Sequence, residues 1–174
     1  MRLFFALLPD TSTQMEWIYA TQPIINTLGG KPQPAANLHL TLHFLGNISA
    51  DRVGVLSRLG ADVAREPIAL RFNKIECWNK ADLACLRADD EPAALTRLVG
   101  HLGTGLQMAG FEVEKQRFKP HVTLARKLKR HEAALPIWPV LEWRAERLAL
   151  VRSRLSPEGS EYEPIAEWNL ADSM

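Results

Sequence analysis

The chain has 174 residues, of which 47% are hydrophobic and 24% charged, and its formal net charge is +1. This composition predicts one globular domain over residues 1–174 and excludes a largely disordered chain. The small net charge excludes global attraction to nucleic acid or membrane, so a charged ligand must meet a local patch. Two cysteines are too few for a disulfide framework, and no apolar run reaches the roughly 18 residues of a membrane span. We expect a cytoplasmic monomer without a membrane partner.

The first half of the chain predicts strands alternating with helices. Thr11 and Gln14 form a capping-box pattern that begins a helix, which Pro23 should kink or end near Gln22. Ser49 can cap a second helix. In chain order we predict a buried strand within residues 1–10, the first helix, a loop over 29–32, a strand over about 38–45 and the second helix with its apolar stripe over 53–63.

The second half predicts a strand pair, a helix and further strands. Pro120 forces Lys119 into an extended conformation and marks the start of a strand. We predict a strand over 68–78 paired with one over 83–87, a helix from about 90 to 110, an edge strand near 111–113, a loop over 131–144 and a final strand pair over 147–155 and 162–170. The order indicates an α+β fold of antiparallel sheet with helices packed outside.

The most informative feature is a repeated tetrapeptide. His39-Leu40-Thr41-Leu42 returns as His121-Val122-Thr123-Leu124, and these two copies contain two of only five histidines. Because side chains alternate along a strand, each histidine shares a face with its threonine while the apolar residues anchor the other face. Two such strands facing a central groove between two similar lobes would combine a pair of acid/base groups with two hydroxyl donors.

Simpler interpretations of these histidines also exist. The histidine of a single H-x-T sequence is more often a half-exposed strand residue that hydrogen-bonds with water, whereas repetition in the same context favours catalysis. His39 and His43 have the spacing of helical zinc ligands, but on a strand they lie about 13 Å apart, so no metal site is predicted. We expect His43 at the rim of the groove, and the remaining His101 and His131 have no catalytic context.

A basic run surrounds the second tetrapeptide. From residue 115 to 130 the chain has seven Lys or Arg side chains and no acidic one. The run could be a solvated face, but its position around His121 favours a phosphate-facing role. Arg126 is the best candidate, because a guanidinium holds phosphate oxygens with two hydrogen bonds. Strict alternation from His121 would place Arg126 on the opposite face, so either the strand ends or bulges near Ala125 or Arg126 is structural.

These residues resemble a known family. The paired tetrapeptides look like the two H-x-T-x signatures of the two-histidine phosphoesterase superfamily, and more closely those of bacterial RNA 2′,3′-cyclic phosphodiesterases, also described as 2′-5′ RNA ligases. The similarity extends over nearly the whole chain, from the opening Arg2-Leu3-Phe4-Phe5-Ala6 to the hairpin that ends near Trp168. It implies a bilobal fold with a pseudo-two-fold axis, two antiparallel sheets and outer helices around a central groove.

The resemblance also implies a reaction. A terminal 2′,3′-cyclic phosphate of RNA, or of a small cyclic nucleotide, would open to a 2′-phosphate without metal or cofactor. His39 would protonate the leaving 3′ oxygen and His121 would activate water. Thr41, Thr123 and Arg126 would contact the phosphate oxygens, while alternation turns Phe44 toward the core. A 2′-5′ RNA ligase acting on tRNA halves and a non-catalytic RNA-end binding module are the alternatives.

Overall fold

The computed structural model describes residues 1–64 and 66–171, which form an α+β fold. Three α-helices and ten strands lie within these residues. No helix among them is long and apolar enough to cross a membrane. In chain order the elements are β1 Arg2–Leu7, α1 Thr11–Leu28, β2 Lys31–Pro32, β3 Leu40–Asn47, α2 Val53–Val63, β4 Ile68–Phe72, β5 Lys74–Trp78, β6 Leu83–Arg87, α3 Ala93–Met108, β7 His121–Arg126, β8 Leu141–Ala145, β9 Arg147–Ser156 and β10 Gly159–Asn169.

The main sheet has eight antiparallel strands in two halves. The first half runs β10-β9-β1-β3 and the second runs β7-β6-β5, with the short β2 also paired to β7. A single residue pair, Leu40 opposite Val122, joins β3 to β7 and therefore joins the halves. The two sheets predicted around a groove are thus two halves of one sheet, which meet at the repeated tetrapeptides.

All three helices pack on one face of this sheet. Their buried residues share one core with inward-facing strand residues such as Leu3, Leu40 and Val122. The separate two-stranded ribbon of β4 and β8 closes this core from the side. There the Trp17 ring of α1 makes edge-to-face contacts with two aromatic rings of the ribbon, at centroid distances of 5.6 Å to Phe72 and 5.1 Å to Trp143. The opposite face of the sheet carries no α-helix of the described chain and is available for a groove.

The first helix is longer than predicted. It continues through Pro23 to Leu28, because buried Ile24, Ile25 and Leu28 extend its apolar face beyond the proline. Pro23 itself is exposed, so water can bond the carbonyl that lacks an amide partner. The helix begins one residue earlier than the capping box predicted, since the Asp10 carboxylate accepts the Thr13 amide at 2.7 Å.

Three predictions that concern strands were wrong. The strand predicted over 68–78 breaks at Asn73, whose side chain hydrogen-bonds with Asp89 and separates β4 from β5. The predicted loop over 131–144 contains the start of β8, where Leu141 and Trp143 are buried by pairing with β4. Residues 111–113 form no strand; Phe111 is instead buried under the Arg52 guanidinium, 3.8 Å from its ring centre.

A matched pair of glycines in α2 tests how this helix packs on the sheet. A Cβ at Gly60 would lie 2.4 Å from the Trp168 ring, whereas a Cβ at Gly54 would meet nothing within 4 Å. We expect Gly60→Ala to lower the free energy of unfolding by about 1–3 kcal/mol through overpacking. Gly54→Ala should raise it by up to about 1 kcal/mol, because alanine favours the helix. Urea unfolding of both variants measures this, and equal effects would contradict the packing.

Candidate active site

The two tetrapeptides lie side by side at the junction between the sheet halves. Leu40 and Val122 are fully buried on the helix-bearing face. Each lies between its histidine and threonine, so alternation directs His39, Thr41, His121 and Thr123 to the opposite face. All four are partly exposed there. We call this open side of the sheet the histidine face.

A β-bulge follows each threonine. In the first copy Thr41 pairs with Ala6 and His43 with Phe5, which leaves Leu42 without a partner. In the second copy Thr123 pairs with Cys85 and Ala125 with Ala84, which leaves Leu124 without one. The extra residue therefore occupies the fourth position of both tetrapeptides, and it reverses the alternation of the two residues that come directly after it.

The second bulge decides the orientation of Arg126. Leu124 and Ala125 are both buried, whereas Arg126 is exposed on the histidine face. Its positive charge lowers the pKa of both His39 and His121, which places the guanidinium near both rings. The sequence left open whether the strand bulges near Ala125 or Arg126 is structural, and the structure shows the bulge.

The first bulge corrects the prediction for Phe44. Phe44 follows His39 by five residues, as Arg126 follows His121. It therefore reaches the histidine face and packs with the small apolar cluster of Phe4, Ala6, Ala149 and Val151. His43 points the other way, where its Nε2 donates to the Val99 carbonyl of α3 at 2.8 Å. On the histidine face, the half that contains Phe44 is therefore apolar, and the half that contains Arg126 is basic.

A backbone carbonyl holds each catalytic candidate in one tautomer. His39 Nδ1 lies 2.7 Å from the Asn37 carbonyl oxygen, and His121 Nδ1 lies 2.7 Å from that of Lys119. A carbonyl only accepts, so Nδ1 carries the proton in both rings and Nε2 is left for chemistry. In His39, Nε2 accepts from the Thr41 hydroxyl at 3.0 Å. In both copies the histidine Nδ1 donates to the carbonyl of the residue two positions earlier, so the repeat in the sequence is also a repeat in hydrogen bonding.

Both imidazoles favour the neutral form. The pKa of His39 is lowered to about 4, mainly by burial; the nearby charges of His121 and Arg126 add to the lowering, and the hydrogen bond to the Asn37 carbonyl opposes it. Burial also lowers the pKa of His121, with Arg87 and Arg126 adding to the effect and Glu76 opposing it. An anion bound between the rings would reverse the charge contributions and raise both pKa values.

Aromatic side chains that the sequence did not single out flank the histidines. The rings of Phe4 and Tyr162 each have their centroid 4.9 Å from that of His39. The Trp78 ring lies 4.5 Å from His121, and its Nε1 donates to Glu76 at 2.9 Å. Once β10 is aligned with β9, strand alternation is enough to place Tyr162 on the histidine face. No local feature of the sequence indicates that Trp78 contacts His121.

The basic run divides into parts with different surroundings. Backbone amides of Lys129 and Arg130 donate to the Leu28 carbonyl and cap the end of α1. Arg117 and Lys119 line a cavity of about 530 Å³ beside His121, which also includes Trp78 and which we call the Trp78 cavity. Only Arg126 of the run combines exposure on the histidine face with an effect on both imidazoles.

The donor geometry of the site is that of an acid/base pair. Within residues 1–64 and 66–171, no three His, Cys, Asp or Glu side chains are grouped as metal ligands. The groove instead brings together two imidazoles whose Nε2 atoms carry no proton, two hydroxyls and one guanidinium. Such groups can move protons on both sides of a phosphoryl centre and bond its oxygens.

The chain is similar in sequence to known proteins. The sequence profile of the 2′-5′ RNA ligase superfamily matches residues 9–156. The chain is 31% identical to an RNA 2′,3′-cyclic phosphodiesterase of Thermus thermophilus, over 98% of this chain and 90% of that protein. It is 27% identical to an RNA 2′,3′-cyclic phosphodiesterase of Escherichia coli, over 97% and 96% of the two chains.

A solved structure shares the fold. The crystal structure of Escherichia coli LigT complexed with 3′-AMP superposes with a TM-score of 0.86 at 26% identity and covers 97% of each chain. Together with the sequence matches, this likeness confirms the α+β fold that the order of strands and helices predicted.

The depressed pKa of His39 predicts a dependence of stability on pH. In the unfolded chain His39 takes up a proton near its ordinary pKa of 6.5, whereas in the folded protein it does so only near 4. The unfolded state therefore binds more protons between these values, and stability falls as the pH falls through this window, by up to about 3 kcal/mol. Urea unfolding of the protein and of His39→Gln at pH 7 and 4.5 measures it. An identical loss in both proteins would contradict the burial of a neutral His39.

Proposed function

Because the chain belongs to the 2′-5′ RNA ligase superfamily, we propose that it is an RNA 2′,3′-cyclic phosphodiesterase, which hydrolyses a terminal 2′,3′-cyclic phosphate to a 2′-phosphate. The observation that carries this proposal is the pair of carbonyl-locked histidines, His39 and His121, on one face of the sheet. It is an enzyme of the phosphodiester hydrolase class, and its substrate is an RNA end or a small cyclic nucleotide.

The reaction assigns a different proton transfer to each histidine. His121 Nε2 removes a proton from water as the water oxygen attacks phosphorus. The bond from phosphorus to O3′ breaks, and His39 Nε2 gives its proton to O3′, so the product keeps its phosphate on O2′. Attack and departure lie in line on opposite sides of phosphorus, which matches one imidazole on each side of the sheet junction.

The acid role of His39 requires a substrate-induced change. A histidine with a pKa of about 4 is mostly neutral at pH 7 in the free protein. The phosphodiester anion supplies the opposite charge that raises this pKa on binding. In the free protein His39 is therefore a neutral imidazole and a weak base. When the phosphate binds, His39 takes up a proton and can act as an acid.

Three further side chains bind the phosphoryl oxygens in this proposal. Thr123 presents a hydroxyl donor beside His121, and Thr41 presents one beside His39 once protonation of His39 Nε2 releases the hydroxyl from that nitrogen. Arg126 supplies a guanidinium from the far side of the second bulge. Donors fixed before the reaction stabilise the charge that develops on the phosphoryl oxygens. No step in this scheme calls for a metal, so we propose metal-independent turnover.

Single substitutions of the histidines test the proposal. A short RNA with a terminal 2′,3′-cyclic phosphate should be turned over in the presence of chelator and yield a 2′-phosphate. His39→Ala and His121→Ala should each lower kcat by roughly 10²–10⁴-fold, the usual contribution of a general acid or base. Binding of the product nucleotide, followed by Trp fluorescence, should persist in both variants.

The outcomes separate the alternatives. Turnover that chelator abolishes would contradict the two-histidine scheme, as would a 3′-phosphate product. An RNA-end binding module would give no turnover in the unaltered protein, with affinity for the RNA end as the only activity.

The pH profile tests the proton assignments. We expect kcat/KM to be bell-shaped, because one imidazole must be charged and the other neutral, and to reach its maximum below pH 6.5, since both pKa values are lowered in the free protein. The profile of kcat should lie at higher pH, because the bound phosphate raises the pKa values. A kcat/KM maximum above pH 7.5 would contradict the lowered values.

A further inference from the structure

A second large cavity adjoins the histidine face on the side of His39. It measures about 850 Å³, and we call it the lysine cavity. Three residues connect it to the site: Asn37, whose carbonyl binds His39, Tyr162, whose ring contacts His39, and Arg126. Its floor is formed by Lys31, Arg126 and Lys127, and its far wall by the turn between β9 and β10.

The floor brings two cations directly opposite one another. Lys31 of β2 pairs with Arg126 of β7 in the antiparallel ladder. Directly opposed like charges are destabilising in a sheet. Lys31 Nζ reaches only a neutral partner among the contacts of the described residues, the Glu158 carbonyl at 3.2 Å. A bound polyanion would therefore relieve the repulsion between these two side chains.

The third cation of the floor, Lys127, has an unusual backbone conformation. Lys127 has φ of +55°, and among the described residues only Asp82 is another non-glycine with positive φ. This conformation is unfavourable for lysine by about 1 kcal/mol or more and is typical of functional sites. The Lys127 amide bonds the Asp82 carbonyl at 2.9 Å, which fixes the turn and presents the side chain to the cavity.

Acidic side chains at the cavity wall do not neutralise the floor. Glu158 and Glu161 both border the lysine cavity. Alternation in β10 directs Ser160 and Tyr162 toward the cavity and turns Glu161 away from it, in register with Arg154 of β9. Glu158 lies exposed in the turn itself and meets Lys31 through its backbone carbonyl. Among the described residues, neither carboxylate forms an ion pair with a cation of the floor, so these cations are available to a ligand.

We propose that the lysine cavity binds the nucleotide and phosphates on the 5′ side of the reacting end, so that the protein prefers an RNA chain to a cyclic mononucleotide. The inference rests on the proposed function, in which His39 protonates O3′. The ribose carries that leaving oxygen, so the ribose and the chain attached to its O5′ must lie on the His39 side. The lysine cavity is on that side, and the Trp78 cavity is on the side of attacking water.

The proposal separates two kinds of substrate. Adenosine 2′,3′-cyclic phosphate has no phosphate other than the reacting one, so Lys31 and Lys127 have nothing to bind. A triadenylate ending in a 2′,3′-cyclic phosphate carries two further phosphodiesters on its 5′ side. The informative quantity is therefore the ratio of kcat/KM for the trinucleotide to that for the mononucleotide.

We expect this ratio to exceed one and to fall by about two- to fivefold for each of Lys31→Ala and Lys127→Gly, the usual range for exposed ion pairs. The salt dependence of kcat/KM for the trinucleotide should become shallower by about 0.7 in logarithmic slope per lost contact. Glycine suits the positive φ of Lys127, so Lys127→Gly should not lower the melting temperature. Arg58→Ala, which removes one exposed cation from α2 on the opposite face of the sheet, is the matched control and should leave the ratio unchanged.

Two results would overturn the proposal. One is a ratio that stays at the value of the unaltered protein in the double variant of Lys31 and Lys127. The other is a ratio that falls only with Arg117→Ala, because this result would show that the RNA binds in the Trp78 cavity. If neither substrate is turned over, the proposed function fails instead. The affinities of the corresponding 2′-phosphate trinucleotide and mononucleotide, measured by calorimetry, then decide on the lysine cavity alone.

Discussion

The site depends on one residue pair in the backbone ladder, Leu40 opposite Val122. Both side chains are buried in the core, and this burial fixes which face each neighbouring histidine occupies. A slip of one residue would turn the imidazoles into the core and expose the apolar residues. The bulges at Leu42 and Leu124 then bring Phe44 and Arg126 to the same face, so the groove depends on where the ladder is paired and where it is interrupted.

The two copies of the tetrapeptide are alike in geometry and different in environment. Each histidine donates Nδ1–H to the carbonyl two residues earlier, which leaves Nε2 for proton transfer. Phe4, Tyr162 and Phe44 surround the first copy, whereas Arg87 and Arg126 lie near the second. Equivalent imidazoles in unequal surroundings provide a physical basis for one to act as acid and the other as base.

The sequence was sufficient for features with a local or periodic cause. The α+β fold, the strand after Pro120 and the shared face of each His and Thr followed from alternation and turn chemistry. Features decided by tertiary packing could not be predicted: α1 continues through Pro23 because its far side is buried, and β8 forms within a proline-containing stretch because β4 covers it. The orientations of Arg126 and Phe44 depend on bulges, which a period-two pattern does not contain. Trp78 reaches His121 only through the pairing of three strands.

Protonation of His39 on phosphate binding is the central claim, and ¹⁵N NMR of the two histidines tests it most directly. In the free protein at pH 7 both rings should be neutral with the proton on Nδ1, and His39 should titrate near pH 4. Adding a nucleoside 2′-phosphate should raise the pKa of His39 and show a proton on its Nε2. A His39 ring that stays neutral and titrates at the same pH in the complex would contradict the account.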